Sequence, residues 1–449
     1  MRTILLSLTL LIHIIPLYAQ RMTRADLRKD IETIIQTIES VHYNPYLYTN
    51  KQTFLQYRDS LLSILPPDIS AEDAYITLNL LTARLDDGHT QVRLPAGVKD
   101  SLHNSAVFPF RTTRLYIAEN LSRNHRLQKG DSLISINDRN ADSLYRLALS
   151  CNGGLPSSRQ SEADDHFYQY LYALGIQSPF RIRYYSMEQH ITDTITVAGI
   201  PFSDLRSQAA NAWAGKDYYF QRLDKNIAYI NFRNMQNIKA FRQLLDSSFS
   251  DIRKRPVTGL IVDLRENGGG DSDLGELLLS YITDKSFRLS AGKYWKVSAD
   301  YKIFMRSNRK DWSKKEYRTY QSARDGSVLE EKYAAHLPAP NPLRYRGPVF
   351  VLTGAGTFSS ANMLADAIKT YHLATLIGQP TGEATNDFGE VYTFTPRIGL
   401  TVTTTTTFDL GANGNSQALM PVNPDILIKE EAGKDNALEY AIHAILQHQ

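Results

Sequence analysis

Cysteine is nearly absent: Cys151 stands alone in 449 residues. No intramolecular disulfide can form, and no zinc-spaced Cys/His cluster exists. A catalytic thiol needs a neighbour that lowers its pKa, and the stretch SCNGGLPSSRQS around Cys151 offers none. The metal-peptidase pattern HExxH is missing, as is the Gly-Lys-Ser/Thr of a nucleotide-binding loop. Excess charge is missing too. A net charge of +3 is too small to point to nucleic acid or an anionic membrane. Beyond residue 20 no apolar run is long enough to read as a bilayer span. No metal and no cofactor is implied.

Hydrophobic content of 42% and charged content of 22% are ordinary for a soluble globular chain. The length implies two or three domains of about 100–200 residues each. The first twenty residues, MRTILLSLTLLIHIIPLYAQ, pair basic Arg2 with an apolar segment from Ile4 to Leu17 and a small residue, Ala19. That is the pattern of a secretory signal peptide cleaved near Ala19. An uncleaved anchor would need about 20 apolar residues. The expectation is a periplasmic or secreted protein with no stable membrane span after cleavage.

Three further segments are expected. Residues 21–95 repeat a helical period, as in TRADLRKDIETIIQTIESV, with Leu27, Ile31, Ile34, Ile35 and Ile38 on one stripe. Residues 96–200 carry strand patterns and LQKGDSLISINDRNADSL, in which a Gly-Asp turn leads into a strand; this resembles a PDZ domain. The polar stretch from Cys151 to Asp165 reads as a loop within it. Residues 201–449 alternate apolar strands with helices, as βαβ units of a mainly parallel sheet do. The segment Phe287–Arg346 breaks that rhythm and is either a lid or a solvated insertion.

Two strand ends draw notice, because α/β sheets gather their sites there. IVDLRENGGGDSD places Gly268, Gly269 and Gly270 after a buried strand. Such a turn frees backbone N–H groups for an oxyanion, or is simply a tight connection. LTGAGTFSSANM places Ser359 and Ser360 at the start of a helix. A serine there is either a nucleophile favoured by the helix dipole or an N-cap. A nucleophile needs a base. His89, in LDDGHTQVRL at a break between helix and strand, is the histidine with a special context; His42, in VHYNPYLY, reads as packing.

The order DGHT, GDSLISIN, DLRENGGG, TFSSAN, GQPTGEATNDFGE, PD resembles the C-terminal processing and tricorn-core peptidases. That resemblance covers nearly the whole mature chain. It implies a crotonase-like αβ peptidase core, preceded by the helical and PDZ-like domains, and cleavage of unstructured or C-terminal protein segments through an acyl-enzyme. It selects Ser359 as nucleophile, three residues before Asn362, where the family usually has Glu. It implies an oxyanion hole from the amide of Ser360 and a glycine, Gly269 or Gly270, and His89 as base. An imidazole of ordinary pKa predicts a rate that rises with pH through about 6–7.

Two positions depart from the pattern. Ala384 stands where processing peptidases place a catalytic Lys. Gln417 and Ala418 stand where the tricorn type has Glu. Glu383, Asp387 and Glu390 are the acids left to orient His89. These departures keep open a relative that binds peptides or apolar ligands without cleaving them, as the retinoid-binding proteins of the eye resemble this core. A crotonase-type acyl-CoA enzyme fits poorly with export. The partners expected are protein or peptide substrates, and the oligomeric state is open.

Overall fold

The computed structural model describes residues 22–94, 106–207, 216–309, 312–429, 431 and 434–447. The expected signal segment, residues 1–20, lies outside the described residues.

Three N-terminal helices, Arg24–Val41, Lys51–Ile64 and Ala71–Thr82, start at Thr23, Asn50 and Ser70. Each of these side chains accepts from an amide of the first turn, satisfying donors that a helix start leaves open. Their apolar stripes pack into one core with an antiparallel sheet ordered Ile191–Val197, Phe180–Ser186, Ser132–Ile136, Tyr116–Asn120, Phe110–Thr113. The N-terminal helices and this sheet therefore share a hydrophobic core. The stretch expected as a loop after Cys151 becomes a helix, Pro156–Ala173. Pro156 at its first position has the φ a helix needs and lacks a donor that would go unused there. Ala163, Phe167, Tyr170 and Leu171 supply its buried stripe.

The C-terminal half contains a six-stranded sheet ordered Tyr218–Leu223, Ile227–Phe232, Gly259–Asp263, Val349–Thr353, Thr375–Gly378, Ile426–Leu427. The first pair is antiparallel and the rest parallel. Every residue of Gly259–Asp263 and Val349–Thr353 is buried, as their unbroken apolar runs require of strands covered on both faces. Helices Ile238–Lys254, Asp273–Ile282 and Ser360–Tyr371 cover one face through Phe241, Leu278 and Leu364. Asn436–Gln447 covers the other, placing Ala441 and Ile445 against Ile261, Phe350 and Leu352.

The expected crotonase-like core does not form. The βα rhythm gives way to a separate antiparallel sheet ordered Val328–Lys332, Ser290–Lys296, Thr401–Gly411, Asp387–Phe394. Its long strand carries Thr403 to Thr407, all buried. β-Branched residues fit a pleated surface flanked by partners, which favours pairing here over another parallel repeat. Gln91–Arg93 adds to the free stretch of that strand, Val92 opposite Val402. The segment Phe287–Arg346 supplies two strands of this sheet and its own aromatic core of Trp295, Tyr301 and Tyr320. It also reaches the first helix, where Lys296 Nζ donates to the Glu39 carbonyl at 2.7 Å.

Candidate active site

Ser359 lies between the strand Val349–Thr353 and the helix Ser360–Tyr371, with φ 52° and ψ −128°. A non-glycine residue held there carries roughly 1–3 kcal/mol of strain. Its side chain makes no capping hydrogen bond. The N-cap reading thus finds no support, and the hydroxyl sits at the helix start without that duty. Ser360 differs. It is buried, and its Oγ donates to the Gly270 carbonyl at 2.6 Å.

The strained turn is held against the glycine loop by Asn267, which is fully buried. Its Nδ2 donates to the Phe232 carbonyl, its own carbonyl accepts from the Phe358 amide, and its Oδ1 accepts from the Gly269 amide at 2.9 Å. Gly269 has φ +91°, and a Cβ there would lie 2.7 Å from Ser359 Cβ. Only glycine permits this approach. The Gly269 amide is committed to Asn267, however. Among the described residues the amides of Gly270 and Ser360 donate to no protein acceptor. Two donors of the kind an oxyanion requires therefore flank Ser359.

His89 reaches the same place from the opposite end of the chain. Pairing of Gln91–Arg93 with Thr401–Thr403 anchors it, and Thr403 Oγ1 donates to its carbonyl at 2.8 Å. Gly88 lets the turn close on Phe358: a Cβ there would meet the ring at 2.8 Å. The His89 and Phe358 ring centroids are 4.8 Å apart.

Glu383 joins the two halves. Its Oε1 lies 3.3 Å from His89 Nδ1, and its Oε2 accepts from the Ser359 amide at 2.6 Å. Asp87 Oδ1 lies 3.7 Å from the same nitrogen. Burial pushes the imidazole pKa down, but the charge on Glu383, joined by Asp87, outweighs it and lifts His89 to about 10. The pH dependence expected from an ordinary imidazole is corrected accordingly. Burial pushes the Asp87 carboxyl up, yet hydrogen bonds from His42 and His89 hold it well below the usual carboxylate range.

Among the remaining acids, Asp387 is buried, and burial, then the charge on Glu383, lifts its carboxyl well above the usual carboxylate range. Glu390 lies 3.6 Å from Lys293 Nζ. Ala384 is buried, and its carbonyl accepts from Asn362 Nδ2 at 2.7 Å. Cys151 is buried, and burial alone pushes its thiol up to about 12, which removes it as a nucleophile. Among the described residues no cluster of His, Cys, Asp or Glu is arranged to hold a metal.

Two participants were missed in the sequence. His42 is more than packing: Nδ1 accepts from the Asn44 amide, so Nε2 carries the proton and donates to Asp87 Oδ2 at 3.2 Å. Tyr48 lies near Asp87, Asp387 and Glu383. Burial, then those charges, lift its phenol to about 12. The dense polar and aromatic spacing of VHYNPYLY was the available signal, but nothing local shows what it folds against.

Comparison with known proteins now gives the class: a serine-type peptidase. Residues 226–428, which include Ser359 and Glu383, match the model of peptidase family S41. No curated protein matches the chain. The solved structures it is similar to include a serine-to-alanine mutant of CPAF, with TM-score 0.64, 14% identity and coverage of 95% of this chain and 96% of that one. Mature CPAF complexed with lactacystin matches with TM-score 0.62, 14% identity and coverage of 95% and 97%. Mature CPAF itself matches with TM-score 0.61, 14% identity and coverage of 94% and 95%. The likeness is one of fold, and it places these mixed sheets where a crotonase-like core was expected.

Proposed function

We propose that the chain is an exported serine endopeptidase whose nucleophile is Ser359, with His89 as base and Glu383 as the acid that orients it. The observation that carries this reading is the double contact of Glu383, one oxygen toward His89 Nδ1 and the other on the Ser359 amide. With Nδ1 turned to the acids, Nε2 is left to take the Ser359 proton as Oγ attacks the scissile carbonyl. The same imidazolium then protonates the leaving amine, and water hydrolyses the acyl-enzyme by the reverse roles. The amides of Gly270 and Ser360 are the donors for the tetrahedral oxyanion. Residues 96–200 act as a PDZ-like domain that captures an unstructured or C-terminal segment by strand addition. Residues 21–95 support that domain, and residues 201–449 form the peptidase core. Export follows from the N-terminal pattern of Arg2, the apolar run and Ala19.

One observation favours a second reading, a relative that binds peptide without cleaving it: Glu383 Oε1 lies 3.3 Å from His89 Nδ1, and its charge favours the protonated imidazole over the neutral base. A fluorophosphonate probe separates the two. Labelling of the wild type across a rising pH series, absent in Ser359→Ala, supports the peptidase. Absence of labelling at every pH, on folded protein, sinks it.

A further inference from the structure

Glu383 places one oxygen on the Ser359 amide and the other toward His89, yet it stands on the short connection between Thr375–Gly378 and Asp387–Phe394, not on a strand or helix. Its place is set by what that connection is tied to. The Thr381 amide donates to the Val422 carbonyl at 3.1 Å and the Thr385 amide to the Met420 carbonyl at 2.9 Å. The Gly382 amide donates to the Thr357 carbonyl at 3.0 Å, and a Cβ on Gly382 would lie 2.0 Å from the Ala355 carbonyl oxygen. The connection is thus pressed against the turn that carries Ser359.

One side chain reaches this connection from the helix that follows Ser359. Asn362 is the third residue of Ser360–Tyr371, and it is fully buried. Its Nδ2 donates to the Ala384 carbonyl at 2.7 Å, and its Oδ1 accepts from Thr381 Oγ1 at 2.7 Å. The amide cannot be turned round, because the Ala384 carbonyl can only accept. Thr381 is fully buried too, and its hydroxyl accepts from the Val422 amide at 3.0 Å. Its one proton goes to Asn362, the nearer acceptor, since the Glu383 carbonyl lies at 3.2 Å. The two bonds of Asn362 therefore land on either side of Glu383. An asparagine is a poor helix former and a costly side chain to bury; these two bonds are what offsets that cost here.

We propose that Asn362 is a positioning residue: by bracketing Glu383 between Thr381 and Ala384, it fixes that carboxylate relative to Ser359 and so aims it at His89. The parts form a closed ring. The Ser359 amide donates to Glu383 Oε2 at 2.6 Å, the backbone around Glu383 is gripped by Asn362, and Asn362 leads back along its helix to Ser359. Without the bracket the ties to Met420, Val422 and Thr357 remain, so the connection stays in place while its middle relaxes. The charged groups that face His89 are Asp87 on its own turn, Glu383, and Glu162 from the helix Pro156–Ala173. Of these, Asn362 holds only Glu383, so its loss reaches the base through that carboxylate.

The inference rests on the reading of Glu383 as the orienting acid, and its test keeps the two apart. Asn362→Leu preserves the bulk and removes both bonds. It should lower kcat about 100-fold with KM changed by no more than about twofold, the pattern of a misplaced group that acts on the chemistry. The acid limb of kcat/KM should fall by about one pH unit, because His89 loses part of its carboxylate partner. In a Glu383→Gln background the same change should cost kcat no more than about threefold, since no carboxylate is left to aim. NMR titration of the His89 imidazole gives a readout independent of turnover, and its midpoint should fall by about one unit in Asn362→Leu. A folded Asn362→Leu with an unmoved midpoint, or the full loss repeated on top of Glu383→Gln, overturns the proposal. If Asn362→Leu does not fold, Thr381→Val removes the hydroxyl that holds Asn362 Oδ1 and should shift kcat and midpoint in the same directions, kcat by about tenfold; an unmoved midpoint there overturns it equally. Failure of the underlying reading looks different: Glu383→Gln would itself leave kcat and the His89 midpoint unmoved.

Discussion

Replacing Glu383 by Gln removes one charge from the centre of the site while keeping its shape. The pair Glu383 Oε1 and His89 Nδ1 is 3.3 Å apart, and both side chains are largely buried. At an effective dielectric near 20 such a pair is worth about 5 kcal/mol, or about 3–4 pKa units. Burial opposes it, and Asp87 at 3.7 Å adds to it. In the wild type kcat/KM is expected to rise with pH until His89 loses its proton, through a limb well above neutrality. Glu383→Gln should move that limb down by about 2–3 pH units. The plateau should also fall, on the order of 10⁴-fold, because the imidazolium formed in the transition state loses its partner. The assay is hydrolysis of a fluorogenic peptide under kcat/KM conditions from about pH 6 to about pH 10. The same variant carries a stability signature. His89 binds its proton more tightly folded than unfolded, so this contribution is full below about 6.5 and fades as pH rises toward about 10. The wild type should therefore exceed Glu383→Gln in denaturant midpoint most at mildly acidic pH and least near pH 10. A variant with an unmoved limb and unmoved plateau would refute any link between Glu383 and the base.

Ser359→Ala should abolish turnover and probe labelling, whereas Ser360→Ala should lower kcat more modestly, since alanine keeps the oxyanion amide and loses only the bond to Gly270; equal loss in both, on folded protein, would contradict the choice of serine. Gly269→Ala should reduce kcat by several orders of magnitude, because its methyl would meet Ser359 Cβ at 2.7 Å in a backbone conformation that already disfavours alanine; near wild-type turnover would show that the turn relaxes freely. Disruption of the N-terminal antiparallel sheet, by proline at Ile134 in its central strand Ser132–Ile136, should harm cleavage of long unstructured proteins more than of short peptides; equal loss for both substrates would make the region structural.

Much of the fold was legible because the signals are local. Unbroken apolar runs at Gly259–Asp263 and Val349–Thr353 mark buried parallel strands, and the 3.6-residue stripe of Arg24–Val41 marks a packed helix. The sheet built on Thr401–Gly411 was not legible. Its threonines are polar by composition, and only pairing with strands from distant segments shows that they are buried. The same holds at the site. Ser359 and the glycines stand out by their place after buried strands. Glu383 is one of three acids in GEATNDFGE, and its choice depends on a side-chain geometry that spacing does not encode. The histidine pKa was misjudged for the same reason: an ordinary value holds only while no carboxylate is near.

The strand Gln91–Arg93 has an implication for when the enzyme becomes dangerous. Thr90 meets Thr404 across 314 residues of chain, so the strand that anchors His89 pairs only once Thr401–Gly411 is present. A chain cut before Thr401 lacks the strand against which Gln91–Arg93 pairs. Closure over so long a separation is slow to nucleate and cooperative once begun. The base and the strand that docks it are thus joined only by a contact that spans most of the chain.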